Sequence, residues 1–126
     1  MAPEEQGRSV LLVEDSDDVR EALLELLELL GHRPEGVGTG EAGVARALAG
    51  RPDVMLVDLG LPDFDGLEVA RRVRAALGPD PFLVAMTGYA RDEDRDAALE
   101  AGFDLHLAKP VDIRILERVV ARGRGV

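Results

Sequence analysis

The sequence contains no cysteine and no tryptophan, and aromatic residues make up only 3% of it. Without cysteine, disulfides, thiolate metal sites and cysteine nucleophiles are excluded, and a reducing, cytoplasmic compartment is the one we expect. So few aromatic side chains also argue against a platform on which single-stranded nucleic acid could stack.

Positive charge and long apolar runs are scarce as well. Fifteen basic residues stand against 25 acidic ones, which gives a net charge of −10. This charge repels phosphate backbones and anionic lipids, so we expect no direct binding to nucleic acid. No apolar run approaches the roughly 18 residues that cross a bilayer, and we expect no membrane insertion.

The chain has the length and apolar content of one folded domain. Its 126 residues match about one domain, and a hydrophobic content of 46% suffices for a core. We expect the domain to cover residues 9–121, between a disordered N-terminal segment of residues 1–8 and a C-terminal tail of residues 122–126.

Short apolar runs alternate with helical patterns along this domain. The predicted strands are residues 9–13, 33–39, 53–57, 82–86 and 103–107, and the predicted helices are residues 19–30, 41–49, 65–77, 91–101 and 111–121. This alternation favours an α/β fold, a doubly wound five-stranded parallel sheet with five helices that cover both faces. Pro34 and several glycines make the second strand the weakest, so we predict that it is a short edge strand.

Polar residues follow four of the predicted strands: Glu14 and Asp15 after the first, Asp58 after the third, Thr87 and Gly88 after the fourth, and Lys109 and Pro110 after the fifth. In a doubly wound sheet these strand ends form the ligand-binding edge. Two carboxylates about 4 Å apart repel by about 4 kcal/mol at an effective dielectric near 20, so three of them together require a cation. Oxygen ligands without histidine or cysteine indicate Mg²⁺.

Each of these residues has a structural alternative when it is taken singly. Glu14 and Asp15 could cap the following helix, and Asp58 could be a turn aspartate. Thr87 could satisfy a backbone group, and Lys109 could be an ordinary surface lysine. The site hypothesis therefore depends on their occurring together.

The combination resembles a known family. The segments that carry the likeness are residues 10–15 (VLLVED), 54–58 (VMLVD), 61–66 (LPDFDG), 86–88 (MTG) and 107–110 (LAKP). In order and spacing they are similar to the receiver domain of two-component response regulators, the CheY-like family. The resemblance implies a flavodoxin-like sheet of strand order 2-1-3-4-5. It also implies a signalling switch with slow self-dephosphorylation, more than a turnover enzyme.

The resemblance implies a role for each acidic residue at the strand ends. Asp58 would be the phosphoacceptor, which takes a phosphoryl group from a phosphohistidine on a histidine kinase or a histidine phosphotransfer protein. Asp15, Asp58 and the backbone carbonyl of Gly60 would bind Mg²⁺, with Glu14 acting through a water. Lys109 would pair with a phosphoryl oxygen.

The switch that the resemblance implies involves Thr87 and its neighbour Gly88. The Thr87 hydroxyl would bond a second phosphoryl oxygen and so shift the surface formed by the fourth helix, the fifth strand and the fifth helix. The bond between Lys109 and Pro110 matches a family position that is cis, and we predict a cis peptide there.

Three positions add detail to this resemblance. His106 stands where the family usually has an aromatic switch residue, and its alternative is a partly exposed strand histidine. Gly60 and Tyr89 occupy positions that tune phosphate lifetime in the family. Glycine should open the approach to Asp58, and the tyrosine ring should partly cover it.

Residues 58–62 and 87–89 also look like those of receivers fused to hybrid sensor kinases.

The last predicted helix places Arg114, Arg118 and Arg122 in one positive stripe at four-residue spacing. The stripe is either a solvated face or a surface for a partner or a homodimer. An exposed Ile115 would favour the second interpretation.

Other classes of protein share parts of this pattern. A flavodoxin-like FMN electron carrier has the same sheet, but the acidic residues 14–18 would repel its phosphate. A phosphatase of the haloacid dehalogenase type needs a second aspartate where this chain has Gly60. A phosphorylation-independent interaction module is the third alternative.

Overall fold

The structure is a computed structural model that describes residues 7–63, 65–88 and 91–122. Strands and helices alternate strictly in it. In chain order they are β1 (Ser9–Val13), α1 (Asp17–Leu29), β2 (Arg33–Val37), α2 (Gly40–Gly50), β3 (Val54–Asp58), α3 (Gly66–Leu77), β4 (Phe82–Thr87), α4 (Asp92–Ala101), β5 (Leu105–Ala108) and α5 (Ile113–Arg122). Each of the ten predicted elements is therefore present.

The strands form one parallel sheet in the order β2-β1-β3-β4-β5, which confirms the predicted fold and strand order. Alternate side chains of the central strands enter two separate cores. Leu12 and Leu56 pack with α1 and α5, whereas Met55 and Val57 pack with α2, α3 and α4. The continuous apolar runs of β1, β3 and β4 follow from this arrangement, because both faces of these strands are covered.

Three strands, β3, β4 and β5, end one residue later than the sequence indicated, and two of them thereby include site residues. The third strand was predicted to end at Val57 and the fourth at Met86, but β3 includes Asp58 and β4 includes Thr87. The ladder pairs Asp58 with Met86 and Thr87 with Ala108. Both site residues are therefore fixed by sheet hydrogen bonding instead of lying in loops.

Other differences in element bounds come from helix caps. The predicted second strand ran to Thr39, but β2 ends at Val37 because the Thr39 side chain caps α2 by accepting from the Ala42 N–H. The fifth helix was predicted from Val111, but it begins at Ile113 because the Asp112 carboxylate accepts the Arg114 N–H at 2.8 Å. Polar side chains that bond the first turn hold the preceding residue out of the helix.

The predicted fifth strand began at Phe103, whereas β5 begins at Leu105. The reason is that the Phe103 N–H still donates to the Ala98 carbonyl at the end of α4, at 3.0 Å. Gly102, with φ of +120°, allows the chain to turn out of that helix. The first helix in turn starts before its predicted residue, at Asp17, because Ser16 is its N-cap.

The ends of the described chain are tied to each other. The Arg8 N–H donates to His32 Nδ1 at 3.0 Å, and the Arg8 guanidinium bonds the Ala121 carbonyl near the end of α5. Arg8 and Arg122 were predicted in the terminal segments, and they lie next to the sheet and in α5 respectively. The rest of those segments, residues 1–6 and 123–126, lies outside the described residues.

Within the described parts of the chain, no helix combines the length and the apolar character needed to cross a bilayer.

Candidate functional site at the carboxyl edge of the sheet

Three carboxylates meet at the carboxyl edge of the sheet, as the sequence predicted. Glu14, Asp15 and Asp58 each place one carboxylate oxygen within 4.8 Å of the others. They come together because β1 and β3 are neighbours that pair in register up to Val13 and Val57. Glu14 is 1% exposed and Asp58 is 7% exposed, whereas Asp15 faces solvent.

Lys109 places an ammonium group between two of these carboxylates. Its Nζ lies 3.1 Å from Glu14 Oε1 and 3.3 Å from Asp58 Oδ2. The residue arrives from the connection between β5 and α5, where its backbone N–H donates to the Thr87 carbonyl at 2.7 Å and its bond to Pro110 is cis, as predicted. Lys109 is also the only lysine in the chain.

The charges in this cluster do not balance. Burial raises the pKa of Glu14 above 4.5, although the Ser16 N–H and the Lys109 ammonium both bond its carboxylate and oppose that rise. Burial lowers the pKa of Lys109, but its hydrogen bond to Glu14 and its attraction to Asp58 and Glu14 outweigh this effect and raise the pKa above 10.5. One ammonium among three carboxylates leaves negative charge at the edge, which is the setting that a divalent cation neutralises.

Both oxygens of the Asp58 carboxylate have a partner. Oδ1 accepts the Gly60 N–H at 3.0 Å, and Oδ2 faces Lys109. A Cβ added to Gly60 would lie 3.7 Å from Asp58 Oδ1, an ordinary contact. Glycine is therefore not required for space here, and its lack of a side chain leaves the flank of the carboxylate open.

A cavity of about 400 Å³ opens beside Asp58. Of the predicted site residues, Asp58, Gly60, Thr87, Gly88 and Lys109 line it. The sequence did not predict the other lining residues, which are Leu59, Leu67, Asp94 and Ala97. Leu67 belongs to α3, and Asp94 and Ala97 belong to α4, so their position depends on helix packing and no local motif marks them.

Three predicted positions lie elsewhere or are not described. His106 is half-buried on β5 next to Ala85, and its Nε2 has no hydrogen-bond partner within the part of the chain that the structure describes. It is not among the described residues that line the cavity. Tyr89 lies outside the described residues. On α5, Ile115 is 40% exposed, the observation that favours a partner or homodimer surface over a merely solvated face.

Comparison with known proteins identifies the same family that the motifs resembled. The profile of the response regulator receiver domain matches residues 10–121. The transcriptional regulatory protein AfsQ1 of Streptomyces coelicolor is 39% identical over 119 residues, which are 94% of this chain and 50% of that protein. The KDP operon transcriptional regulatory protein KdpE of Escherichia coli is 38% identical over 86% of this chain and 48% of its own length. The chain thus spans about half the length of these two regulators.

Solved structures give the same result. The receiver domain of the sensor histidine kinase PA1611 from Pseudomonas aeruginosa, which was crystallised with a magnesium ion coordinated in its active-site cleft, superposes with a TM-score of 0.86. It is 35% identical, and the match covers 95% of this chain and 99% of that one. Taken with the sheet order and the acidic edge, these matches place the chain in the response regulator receiver domain family of two-component systems.

Proposed function

We propose that Asp58 accepts a phosphoryl group from a phosphohistidine, with Mg²⁺ bound beside it. The observation that carries this proposal is the cluster of Glu14, Asp15 and Asp58 within 4.8 Å, with the Lys109 ammonium 3.3 Å from the Asp58 carboxylate. Phosphoryl transfer depends mainly on positioning and charge neutralisation, and these groups surround one buried nucleophile.

The described side chains fit a magnesium ion. Asp15 and Asp58 would ligate it directly, together with the Gly60 carbonyl. Glu14 suits a water-mediated role, because its Oε1 bonds Lys109 and its Oε2 accepts the Ser16 N–H. When bound, Mg²⁺ supplies positive charge for the equatorial phosphoryl oxygens. The magnesium ion coordinated in the active-site cleft of the PA1611 receiver domain supports this assignment by similarity.

The transfer exchanges one bond to phosphorus for another. A carboxylate oxygen of Asp58 forms a bond to phosphorus, the phosphorus–nitrogen bond breaks, and its electron pair leaves with the imidazole, which departs neutral because its other nitrogen carries a proton. Lys109, already 3.3 Å from Asp58, then pairs with a phosphoryl oxygen, and the Thr87 hydroxyl bonds another. Slow attack of water on the same phosphorus later releases phosphate and restores the carboxylate.

Members of this family act with histidine kinases, and we propose a histidine kinase or a histidine phosphotransfer protein as the donor for this chain. An apolar groove of about 600 Å³ supports the proposal, because it runs from α1 to Lys109 and so borders the acceptor edge. Val19 and Ile113 line it and are 39% and 56% exposed. A helical partner seated there would bring a histidine to Asp58.

We propose that phosphorylation alters the surface of α4, β5 and α5, and that a homodimer uses this surface. A second groove of about 340 Å³ supports this idea, since Ile115 and Arg118 of α5 line it together with Leu105 and Leu107 of β5. The Arg118→Glu variant should weaken self-association of the phosphorylated protein. Unchanged sedimentation of that variant would contradict the dimer.

The experiment that tests the acceptor uses a labelled phosphohistidine donor, offered to the wild type and to Asp58→Asn with and without Mg²⁺. We expect label on the wild type only, and only with Mg²⁺. Equal labelling of the two proteins would refute the acceptor assignment. Wild-type protein that takes no label under any condition would instead favour a phosphorylation-independent interaction module.

A further inference from the structure

The loop between β3 and α3, residues 59–65, carries Gly60, and its two ends are fixed against the sheet. The Leu59 N–H donates to the Met86 carbonyl at 2.9 Å, and the Gly66 N–H donates to the Leu59 carbonyl at 3.2 Å. A Cβ on Gly66 would lie only 2.8 Å from the Asp58 carbonyl oxygen, so α3 starts in tight contact with β3. These contacts hold the two ends of the loop, and a separate contact holds its middle.

Asp63 fixes the middle of the loop to a different element, the start of α2. Its Oδ1 accepts the Gly40 N–H and its Oδ2 accepts the Glu41 N–H, each at 2.9 Å. Both carboxylate oxygens thus bond the first two amides of α2, across 23 and 22 residues of sequence. Bonds from an ionised acceptor to backbone N–H groups at a helix start are favoured by charge as well as by geometry.

The start of α2 makes a rigid anchor for this contact. A Cβ on Gly43 would lie 2.8 Å from Val13 Cγ2, so the first turn of α2 is packed closely against the end of β1. Val13 directly precedes the acidic pair. The Thr39 hydroxyl already caps the helix in sequence, through the Ala42 N–H at 3.1 Å. The helix therefore has its own N-cap, and the Asp63 bonds additionally connect the loop to it.

We infer that Asp63 is a positioning residue for the metal site, which holds the β3–α3 loop so that Gly60 faces Asp58. The inference rests on the proposed function, because the Gly60 carbonyl is a proposed Mg²⁺ ligand. Gly60 also donates its N–H to Asp58 Oδ1 at 3.0 Å, so displacement of the loop would disturb the acceptor carboxylate as well as the metal ligand. Asp63 acts in both cases through Gly60, without touching the reacting groups.

The test compares two variants that remove acceptors from the same helix end. Asp63→Ala frees the Gly40 and Glu41 amides and releases the loop, whereas Thr39→Ala frees the Ala42 amide and leaves the loop attached. Mg²⁺ affinity is measured by titration calorimetry on the full chain without any phosphodonor. Asp63→Ala should bind Mg²⁺ about tenfold more weakly, the lower end of what loss of an outer-shell partner costs a metal site. Thr39→Ala should stay within about twofold of the wild type, since no metal ligand depends on it.

A second readout does not depend on the metal. In Mg²⁺-free protein, the amide signal of Gly60 in a nitrogen-15 NMR spectrum should shift and exchange faster with solvent in Asp63→Ala, and should keep its position in Thr39→Ala. Asp63→Asn retains one of the two acceptor oxygens and should lie between the wild type and Asp63→Ala in both measurements. It replaces the alanine variant should that protein fail to fold.

The outcomes separate this inference from the proposed function. Suppose that the wild type binds Mg²⁺ and accepts phosphoryl groups. Equal Mg²⁺ affinity and an unshifted Gly60 amide in the Asp63 variants would then overturn the positioning role alone. A wild type that binds no Mg²⁺ would overturn both. Weakened Mg²⁺ binding of equal size in Thr39→Ala would also overturn the inference, because the effect would then belong to α2 and not to the loop.

Discussion

Replacing Lys109 by methionine should destabilise the Mg²⁺-free protein by about 3 kcal/mol near pH 8. The substitution leaves Glu14, 1% exposed, and the Asp58 side chain, 10% exposed, without their shared cation. Each ion pair corresponds to about 5 kcal/mol of Coulomb energy at about 3 Å and an effective dielectric near 20, a value that desolvation reduces. Removing one member of a buried pair costs about 3–5 kcal/mol, and we take the lower end. The reason is that Lys109 itself is 29% exposed.

The size of this loss should depend on pH in a defined direction. The pKa of Glu14 is raised above 4.5 in the folded protein, chiefly by burial. A raised carboxyl pKa gives stability that is fully present below the ordinary value and is lost as the pH rises through the folded value. Because Lys109 lowers the pKa of Glu14, its removal moves that loss to higher pH. The methionine variant should therefore lose much more stability at pH 8 than at pH 5.

Urea unfolding followed by far-ultraviolet circular dichroism, in the presence of a chelator, measures the loss of stability at pH 8 and at pH 5. Lys109→Arg is the matched control, because it keeps the positive charge and should retain most of the stability. Added Mg²⁺ should restore the methionine variant, by about 2.7 kcal/mol at a hundred times its dissociation constant. Wild-type stability of Lys109→Met at pH 8 without Mg²⁺ would refute the reasoning, since it would mean that the two buried carboxylates do not depend on this ammonium.

Other predictions concern residues outside the site. Burial lowers the pKa of His32 below 6.5, so the free energy of unfolding should fall as the pH drops from 6.5 through the folded pKa. Urea unfolding at pH 5.5 and 7.5 measures this dependence, and His32→Gln should weaken it. An unchanged pH dependence in that variant would contradict the argument. Arg74 bonds the Asp104 carboxylate at 2.7 Å and the Gly102 carbonyl at 2.9 Å, so Arg74→Met should cost about 3 kcal/mol in the same assay; a loss under about 1 kcal/mol would count against it. Gly43→Ala should lower the unfolding free energy by about 1–3 kcal/mol, because its Cβ would overlap a valine side chain of β1; a thermal melt that matches the wild type would show that α2 moves away without cost.

The site was predictable because its residues sit at strand ends, and strand ends were the clearest feature of the sequence. The apolar run before Asp58 and the one before Glu14 mark two parallel strands, whose carboxyl ends must share one edge. That argument needs neither the bounds of the helices nor any side-chain contact. It succeeded even though the strand bounds differed, since moving Asp58 from the loop into β3 keeps it at the same edge.

The element bounds were less predictable, because they depend on local competition for backbone hydrogen bonds. Thr39 fits the composition of a strand, and Asp112 fits the first turn of a helix, yet the side chain of each accepts an N–H of the helix that follows it. Gly36 and Gly38 of the predicted second strand indicated only that this strand is weak. In the fold Gly36 lies against α1, where a Cβ would come within 3.1 Å of the Arg20 side chain. Such close approaches depend on tertiary packing.

The sequence did not predict the ion pair between Lys109 and Glu14, and this pair changes how the site is understood. The family resemblance implied that Lys109 would meet a phosphoryl oxygen, and it gave no sign that Lys109 would bond Glu14 across 95 residues. In the fold the same ammonium lies between the Glu14 and Asp58 carboxylates, and in the proposed reaction it would stay beside Asp58 when that group gains a phosphoryl group. The charge that stabilises the resting edge is thus the charge that we propose stabilises the phosphorylated one.

This double use of one ammonium links the chemistry to the proposed output surface. The Lys109 N–H donates to the Thr87 carbonyl at 2.7 Å, and the Leu59 N–H donates to the Met86 carbonyl at 2.9 Å, so the ends of β3, β4 and β5 are bonded to one another. A displacement of Lys109 or Thr87 toward the proposed phosphoryl group would therefore be shared by the carboxyl ends of β4 and β5. These two backbone bonds are made by Leu59, Met86, Thr87 and Lys109, so the proposed coupling between the strand ends does not depend on the side chain of His106.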